Sequence, residues 1–281
     1  MPKARPATDI REVQVIKDDR TFLLTDRYGD APDGNTAALG LYHDDTRFLS
    51  RLELTVEGIH PILLHSSTER NYSQLVELAY PVTSMDPTGV ERKENLSIQR
   101  SRVLSGTLHE RVRVRNFGKG RRRVRLALEF DADFLDIFEV RGLAREQRGQ
   151  AQQPRVDRNQ VVLAYRGLDG ETRSTTLRFS PAPAELTASS AIFELEVESG
   201  RDAEIAIEVA PEVGSASVER RSMQETEDRL ARDYTAFRKR CTRFKTSNAQ
   251  LSQFLDRAIL DLRMLTSTTE DGASYIDAGV P

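Results

Sequence analysis

Closely spaced carboxylates are the first residues in this chain with the means to do chemistry: the pair Asp44-Asp45, and the set Asp131, Asp133, Asp136 and Glu139. Hydrolysis of a glycosidic or ester bond needs two carboxyl groups across a cleft, or an activated nucleophile. Asp44 and Asp45 are consecutive, so on a strand their side chains point to opposite faces and cannot cooperate. The second set ends a strand, where it can line a cleft or take a hard cation. It lacks the glycine and the spacing of a calcium loop, and a solvated strand end accounts for it more simply. His43, His60, His65 and His109 are scattered, without the spacing of a metal motif. No nucleophile elbow, phosphate loop or dinucleotide fingerprint occurs. Arg121-Arg122-Arg123, followed by Val124 and Arg125, is a basic run without interleaved aromatics, so it reads as strand arginines facing glutamates on a neighbour. Residue chemistry alone identifies no catalytic residue, no metal site and no cofactor.

Composition narrows the class further. The 281 residues carry 41 Lys+Arg against 44 Asp+Glu, a net charge of -3, which gives no overall attraction to nucleic acid or anionic membrane. Only six of the basic residues are lysine, an arginine bias that reads as a habit of base composition because acidic residues are interleaved. No stretch has the apolar length of a membrane span or a signal peptide. Cys241 stands alone, so no internal disulfide is possible. The expectation is a cytoplasmic protein with no nucleic-acid or membrane partner.

The elements that must position these residues change character near Pro211. Before it the hydrophobic period is two, as in Arg51-Leu52-Glu53-Leu54-Thr55-Val56-Glu57, Arg111-Val112-Arg113-Val114-Arg115 and Ile205-Ala206-Ile207-Glu208-Val209. Further strands are predicted at Phe22 to Thr25, Leu39 to His43, Ile62 to His65, Leu75 to Leu78, Val124 to Phe130, Val161 to Arg166, Thr175 to Phe179 and Ile192 to Val197. Asn116 to Gly120 reads as a hairpin turn, Asp26 to Asn35 as a surface loop, and Arg141 to Arg158 as a mobile loop. After Pro211 the period is helical. Met223, Leu230, Tyr234, Phe237, Cys241 and Phe244 fall on one stripe. A second helix is expected with Ser247 as N-cap, Gln250 completing a capping box, and Leu251, Phe254, Leu255, Ala258, Leu262 and Leu265 on its apolar face. The residues from Asp271 onward read as a turn-rich tail with no partner elements after it, disordered in the isolated chain, and a helical hairpin followed by a stop reads as truncated.

One stretch, Gly40-Leu41-Tyr42-His43-Asp44-Asp45-Thr46-Arg47-Phe48-Leu49-Ser50-Arg51-Leu52-Glu53-Leu54, resembles the N-terminal β domain of the bacterial and archaeal amylo-alpha-1,6-glucosidase (glycogen debranching enzyme) family. Lys17 to Asp30, Leu128 to Gly142 and Tyr165 to Gly170 resemble it too, and the likeness extends over about residues 10 to 281. The resemblance implies a mainly β fold: a large antiparallel, supersandwich-like β-sandwich over 11–211, after a flexible N-terminus over 1–10. Residues 212–281 then form a helical linker and the truncated start of an (α/α)6 barrel that carries catalysis. Leu251 to Leu265 resembles the first barrel helix. Tyr275 to Pro281 resembles a segment that in the family continues into Trp-Phe and Gly-Arg-Asp, a continuation absent here. No catalytic carboxylate of the family has a matching position, so this chain alone is expected to be inactive.

The same resemblance assigns roles. Asp45, Thr46 and Arg47 are expected to form a structural motif in which a buried Arg47 needs a carboxylate, Asp45 with Thr46 holding it and capping a strand end; the alternative is a motif that reaches a sugar at the rim of the neighbouring barrel. Tyr275 and Asp277 are expected to border the substrate pocket of a complete enzyme. The implied partners are a glycogen-like α-glucan and the helical barrel, in cis or in trans. Two rivals carry no hydrolase activity: a free-standing carbohydrate-binding module, disfavoured by 6% aromatics and no Trp, and an interaction sandwich docking a separately encoded barrel through Leu251 to Leu265.

Overall fold

A computed structural model describes residues 13–34, 38–85, 91–214, 221–269 and 271–277; the expected flexible N-terminus lies outside the described residues. The fold is mainly β, as expected, with antiparallel pairing throughout the described ladders. One layer is a nine-stranded sheet. Its path runs from β11 (Gln150–Ala151) through β13 (Gln160–Arg166), β14 (Thr172–Ser180), β17 (Asp202–Val213), β9 (Thr107–Asn116), β8 (Glu91–Ser105) and β7 (Ser73–Met85) to β6 (Ile62–Ser67), with β12 (Arg155–Asp157) also on β13.

Two four-stranded sheets cover it. The first is β1 (Gln14–Asp18), β2 (Thr21–Thr25), β3 (Gly40–His43) and β4 (Thr46–Leu49). The second runs β15 (Glu185–Leu186), β16 (Ser190–Val197), β10 (Arg122–Asp131), β5 (Arg51–Val56). Contacts of β1 and β2 with β8, of β4 with β14, and of β16 with β9 and β17 close the sandwich. Alternation supplies the core: Val112, Val114, Ile205 and Ile207 face inward against Leu54, Leu126 and Phe130, all buried. The outward arginines meet acids across the ladder, Arg123 and Arg125 opposite Glu196 and Glu194 on β16, and Arg111 within 3.0 Å of Glu204 on β17.

Several expectations are corrected. Asn116 to Gly120 is no hairpin, because β9 and β10 belong to different layers; Asn116 stabilises the crossing by donating to Gly120 O and Val197 O and accepting from Gly118 N. Of the expected surface loop Asp26 to Asn35, Arg27, Asp33 and Gly34 are exposed but Asp26, Asp30 and Ala31 are buried, Ala31 pairing with Leu52; Asn35 lies outside the described residues. Arg141 to Arg158 holds two short edge strands, which satisfy backbone groups against β13 while burying no side chain.

The helices come last, after α1 (Ile137–Val140) between β10 and β11. α2 (Met223–Arg240) starts at a Ser222–Glu225 capping box and packs Leu230 and Tyr234 on Tyr72 and Val103. It stops at Cys241, whose extended backbone (ψ 154°) ends the stripe, so Phe244 lies outside it and is exposed. α3 (Ala249–Leu265) is capped by Asn248, not Ser247, through Asn248 Oδ1 accepting from Leu251 N at 3.1 Å. Nor is the tail without partners: β18 (Thr266–Thr268) pairs with β19 (Ser274–Ile276). Among the described residues no helix is long and apolar enough to cross a membrane.

Candidate functional site

The motif hairpin explains its own residue order. Asp44 and Asp45 form the two-residue turn between β3 and β4, both with positive φ (45° and 58°), which strand pairing of Tyr42 with Arg47 and His43 with Thr46 demands. They therefore sit on a turn, not a strand. Asp44 pairs with Arg20 at 3.0 Å, and Asp45 is exposed, its carbonyl accepting from Ile137 N at 2.9 Å. Asp45 does not hold Arg47. The buried guanidinium instead forks onto Asp133, with Nε donating to Oδ1 at 3.1 Å and Nη2 to Oδ2, while Nη1 donates to Leu39 O at 3.3 Å. The turn directs Asp45 to solvent, whereas the Arg47 stem runs back across Gly40. A Cβ on Gly40 would stand 2.3 Å from Leu49 O and 2.8 Å from Arg47 Cδ, and φ of +145° excludes other residues anyway. Burial pushes the neighbouring Tyr42 phenol up to about 12, although Arg47 pulls the other way.

The acidic set is consumed by the same structure. Arg47 N donates to Leu135 O at 2.8 Å and Thr46 bridges Asp136, so β10 and the segment after it lie along β4. Asp136 caps α1 and pairs with Arg145, while Glu139 closes the capping box and meets Arg148 at 3.1 Å. Burial opposes the Asp136 charge, yet the Glu139 and Phe138 amides and Arg145 outweigh it and hold its carboxyl low. Asp131 accepts from Ala132 N. Among the described residues no cluster has the makings of a metal site.

Three of the segments that carry the family likeness meet at one cavity of about 280 Å³, lined by Thr46, Phe134, Asp136, Tyr165, Asp169 and Arg173 among others. Arg173 forks onto Asp169 at 3.2 and 2.7 Å, which draws the Asp169 carboxyl down to about 2. A Cβ on Gly167 would sit 2.4 Å from Asp169 Oδ1, so that glycine makes room for the fork. Tyr165 is already engaged. It stacks on Phe134 at 5.7 Å, carries the Arg148 guanidinium 5.6 Å from its centroid, and its hydroxyl accepts from Gly149 N at 2.6 Å.

Tyr275 and Asp277 lie elsewhere, on a strap against β1 and β2. Lys17 Nζ, almost wholly buried, pairs with Asp277 Oδ2 at 2.8 Å and donates to Ser267 Oγ at 2.8 Å. Ser267 Oγ reaches Asp277 at 2.7 Å, and Thr268 N donates to Asp19 Oδ1 at 2.8 Å. Tyr275 and Ile276 project outward, both exposed. The strap is thus separate from the motif hairpin, and Lys17, which anchors it, carried no sequence signal beyond membership of the family-like stretch Lys17 to Asp30.

Sequence reading also missed β8 and with it the most deeply buried charges. Arg100 and Arg102 occupy inward positions of the strand, which breaks the apolar alternation of Leu96, Ile98 and Leu104. Arg100 binds Glu110 at 2.6 Å and also Asp30; Arg102 binds Glu110 at 2.8 Å and Gln74 at 2.9 Å. Gly29, at φ +76°, brings the loop down onto both guanidinium groups. Burial raises the Glu110 carboxyl, but the two arginines prevail and hold it low.

Comparison with known proteins now supplies the family. Residues 16–208 match the model described as the N-terminal domain of (some) glycogen debranching enzymes. The chain belongs to this family. The match spans the hairpin, the cavity and the buried arginines of this debranching-enzyme N-terminal domain, while α2, α3 and the strap lie beyond it. No curated protein matches. Among solved structures, a putative kojibiose phosphorylase from human microbiome superposes with a TM-score of 0.63 at 9% identity, over 90% of this chain and 39% of that one. At that identity the likeness is one of fold, and this chain spans about two fifths of that protein's length. A putative aldose 1-epimerase from Escherichia coli K12 gives a TM-score of 0.38 at 11% identity, over 71% of this chain and 98% of that one.

Proposed function

We propose that this debranching-enzyme N-terminal domain is non-catalytic and supports the helical barrel of an alpha-1,6-glucosidase, in cis or in trans, helping to shape the barrel's glucan entrance. The observation that carries this reading is α3: none of its residues is buried, and Leu251, Phe254 and Leu262 stand exposed on an amphipathic helix. Such a helix gains its stability from a partner covering that face. In this reading the chain divides into residues 1–10, a sandwich over 11–211, and a linker with the first barrel helix over 212–281. Tyr275 and Asp277 border the entrance: Tyr275 offers a ring for a sugar face, and Asp277 is held in place by Lys17. A cytoplasmic location belongs to the same reading, supported by the single cysteine.

The engagement of all four acids from Asp131 to Glu139 supports the absence of catalysis, since none is left as a general acid facing a partner across a cleft. A free-standing sugar-binding module is less well supported, because Tyr165 in the cavity is already stacked and hydrogen-bonded. The test is complementation: a separately expressed helical barrel is assayed on branched α-glucan with and without this chain. Stimulation by the wild-type chain and none by Leu251→Ser/Phe254→Ser is expected. Equal stimulation by both would remove α3 as the docking element.

A further inference from the structure

The elbow between α2 and α3 concentrates positive charge that the fold leaves uncompensated. Residues 238–245 hold Arg238, Lys239, Arg240, Arg243 and Lys245 and no acid. The other dense basic run, around Arg121 to Arg125, lies opposite Glu194 and Glu196, and Arg121 and Arg123 both pair with Glu196. At the elbow only Arg238 has a carboxylate, Asp256 at 2.8 Å. The side chains of Lys239, Arg240, Arg243 and Lys245 make no ion pair or hydrogen bond with the described residues.

A helix C-terminus accounts for part of this. Arg238, Lys239 and Arg240 occupy the last turn of α2, where cations offset the negative pole of the helix. Arg243 and Lys245 lie beyond that turn, ahead of α3, whose first turn contains no acidic residue. Among the described residues Arg243, Lys245 and Lys239 have no carboxylate partner. These three side chains converge with Thr242, Phe244 and Ile259 on a cavity of about 420 Å³, within the ~300–1,000 Å³ span of small-molecule sites. Asp256, which lines the same cavity, is taken by Arg238 at 2.8 Å.

The geometry points to this elbow as a binding site for a small phosphate ester, its phosphoryl group taken by Arg243, Lys245 and Lys239 and its organic body lying against Phe244 and Ile259. Arginine and lysine together satisfy a dianionic phosphate through charge-assisted hydrogen bonds. A long polyanion fits less well. Four of the five elbow cations line one cavity, the chain as a whole carries -3, and Arg111, Arg121 and Arg123 are paired across their ladders.

This inference does not depend on the debranching role. It is tested by isothermal titration of the 281-residue chain at low salt with two probes, inorganic phosphate and a hexose monophosphate. Saturable binding of the hexose monophosphate is expected, weakened about tenfold or more in Arg243→Gln/Lys245→Gln and unchanged in Arg155→Gln, a distant exposed arginine. Binding of inorganic phosphate at equal strength would still support phosphoryl recognition, while removing the Phe244 and Ile259 contacts from it. Both changes are at exposed side chains, and a far-ultraviolet spectrum checks that the helices persist. Three results would overturn the proposal: no saturable binding of either probe at millimolar concentration, equal affinity in the double variant, or tighter binding of a single-stranded oligonucleotide with steep salt dependence.

Discussion

Arg47 shows how a single residue can hold two sheets and a loop in register. Its fork onto Asp133 and its contact with Leu39 O tie β4 to the segment after β10. Arg47→Ala should therefore lower unfolding stability by about 3 kcal/mol, because it strands a partly buried carboxylate. Arg47→Lys should recover only part of that loss, since a lysine cannot fork. Urea denaturation measures both, and an unchanged midpoint for Arg47→Ala would contradict a structural role for the motif. Gly40→Ala should cost at least about 1–3 kcal/mol through its positive φ, with the clash at Leu49 O added. The buried trio behaves differently with pH. Glu110 is held below its unfolded value near about 4.3, so its contribution is full above that value and is lost as pH falls through the lower folded one. Glu110→Gln should flatten the acid limb of stability against pH, and an unaltered limb would show that other carboxylates dominate it.

At the scale of elements, sequence pattern carried a good deal. The alternating stretches on β5, β9 and β17 are strands as read, and the change of period near Pro211 falls two residues before the end of β17. β8 was illegible because its inward positions hold Arg100 and Arg102, and alternation scores only apolar residues; a pairing partner such as Glu110 announces itself only once the strands are side by side. The Asn116 to Gly120 crossing was misread because turn chemistry does not say which sheet the next strand joins. Arg47 was rightly expected to need a carboxylate, but the partner lies 86 residues away and not two. The strap was read as free because Lys17 and Asp277 are distant in sequence. Asp277→Asn weakens that anchor, so amide exchange at Ser274–Ile276 should accelerate about tenfold, with the sandwich amides unaffected. Equal exchange rates would place the anchor in the β18–β19 ladder alone. Phe254→Ser should change the stability of the 281-residue chain by no more than about 0.5 kcal/mol, since the Phe254 ring is 67% exposed.

For the whole molecule, the sandwich has one continuous apolar core of its own, whereas α3 buries none of its residues. α2 is fastened to the sheet through Leu230 and Tyr234, and Arg229 reaches Asp18 at 3.2 Å. α3 touches the sandwich through Leu260, packed against the Tyr72 and Val103 cluster, and through polar links such as Asn71 to Asp261 at 2.9 Å, and leaves Leu251, Phe254 and Leu262 exposed. In the proposed supporting role, the exposed residues of α3 are the face that a barrel partner would cover. The central consequence of that role concerns catalysis. The most direct measurement is glucose release from branched α-glucan by the purified 281-residue chain, alone and with the separately expressed helical barrel. The account predicts no release by the chain alone and stimulation of the barrel when the two are mixed. Sustained glucose release by the chain alone would contradict it.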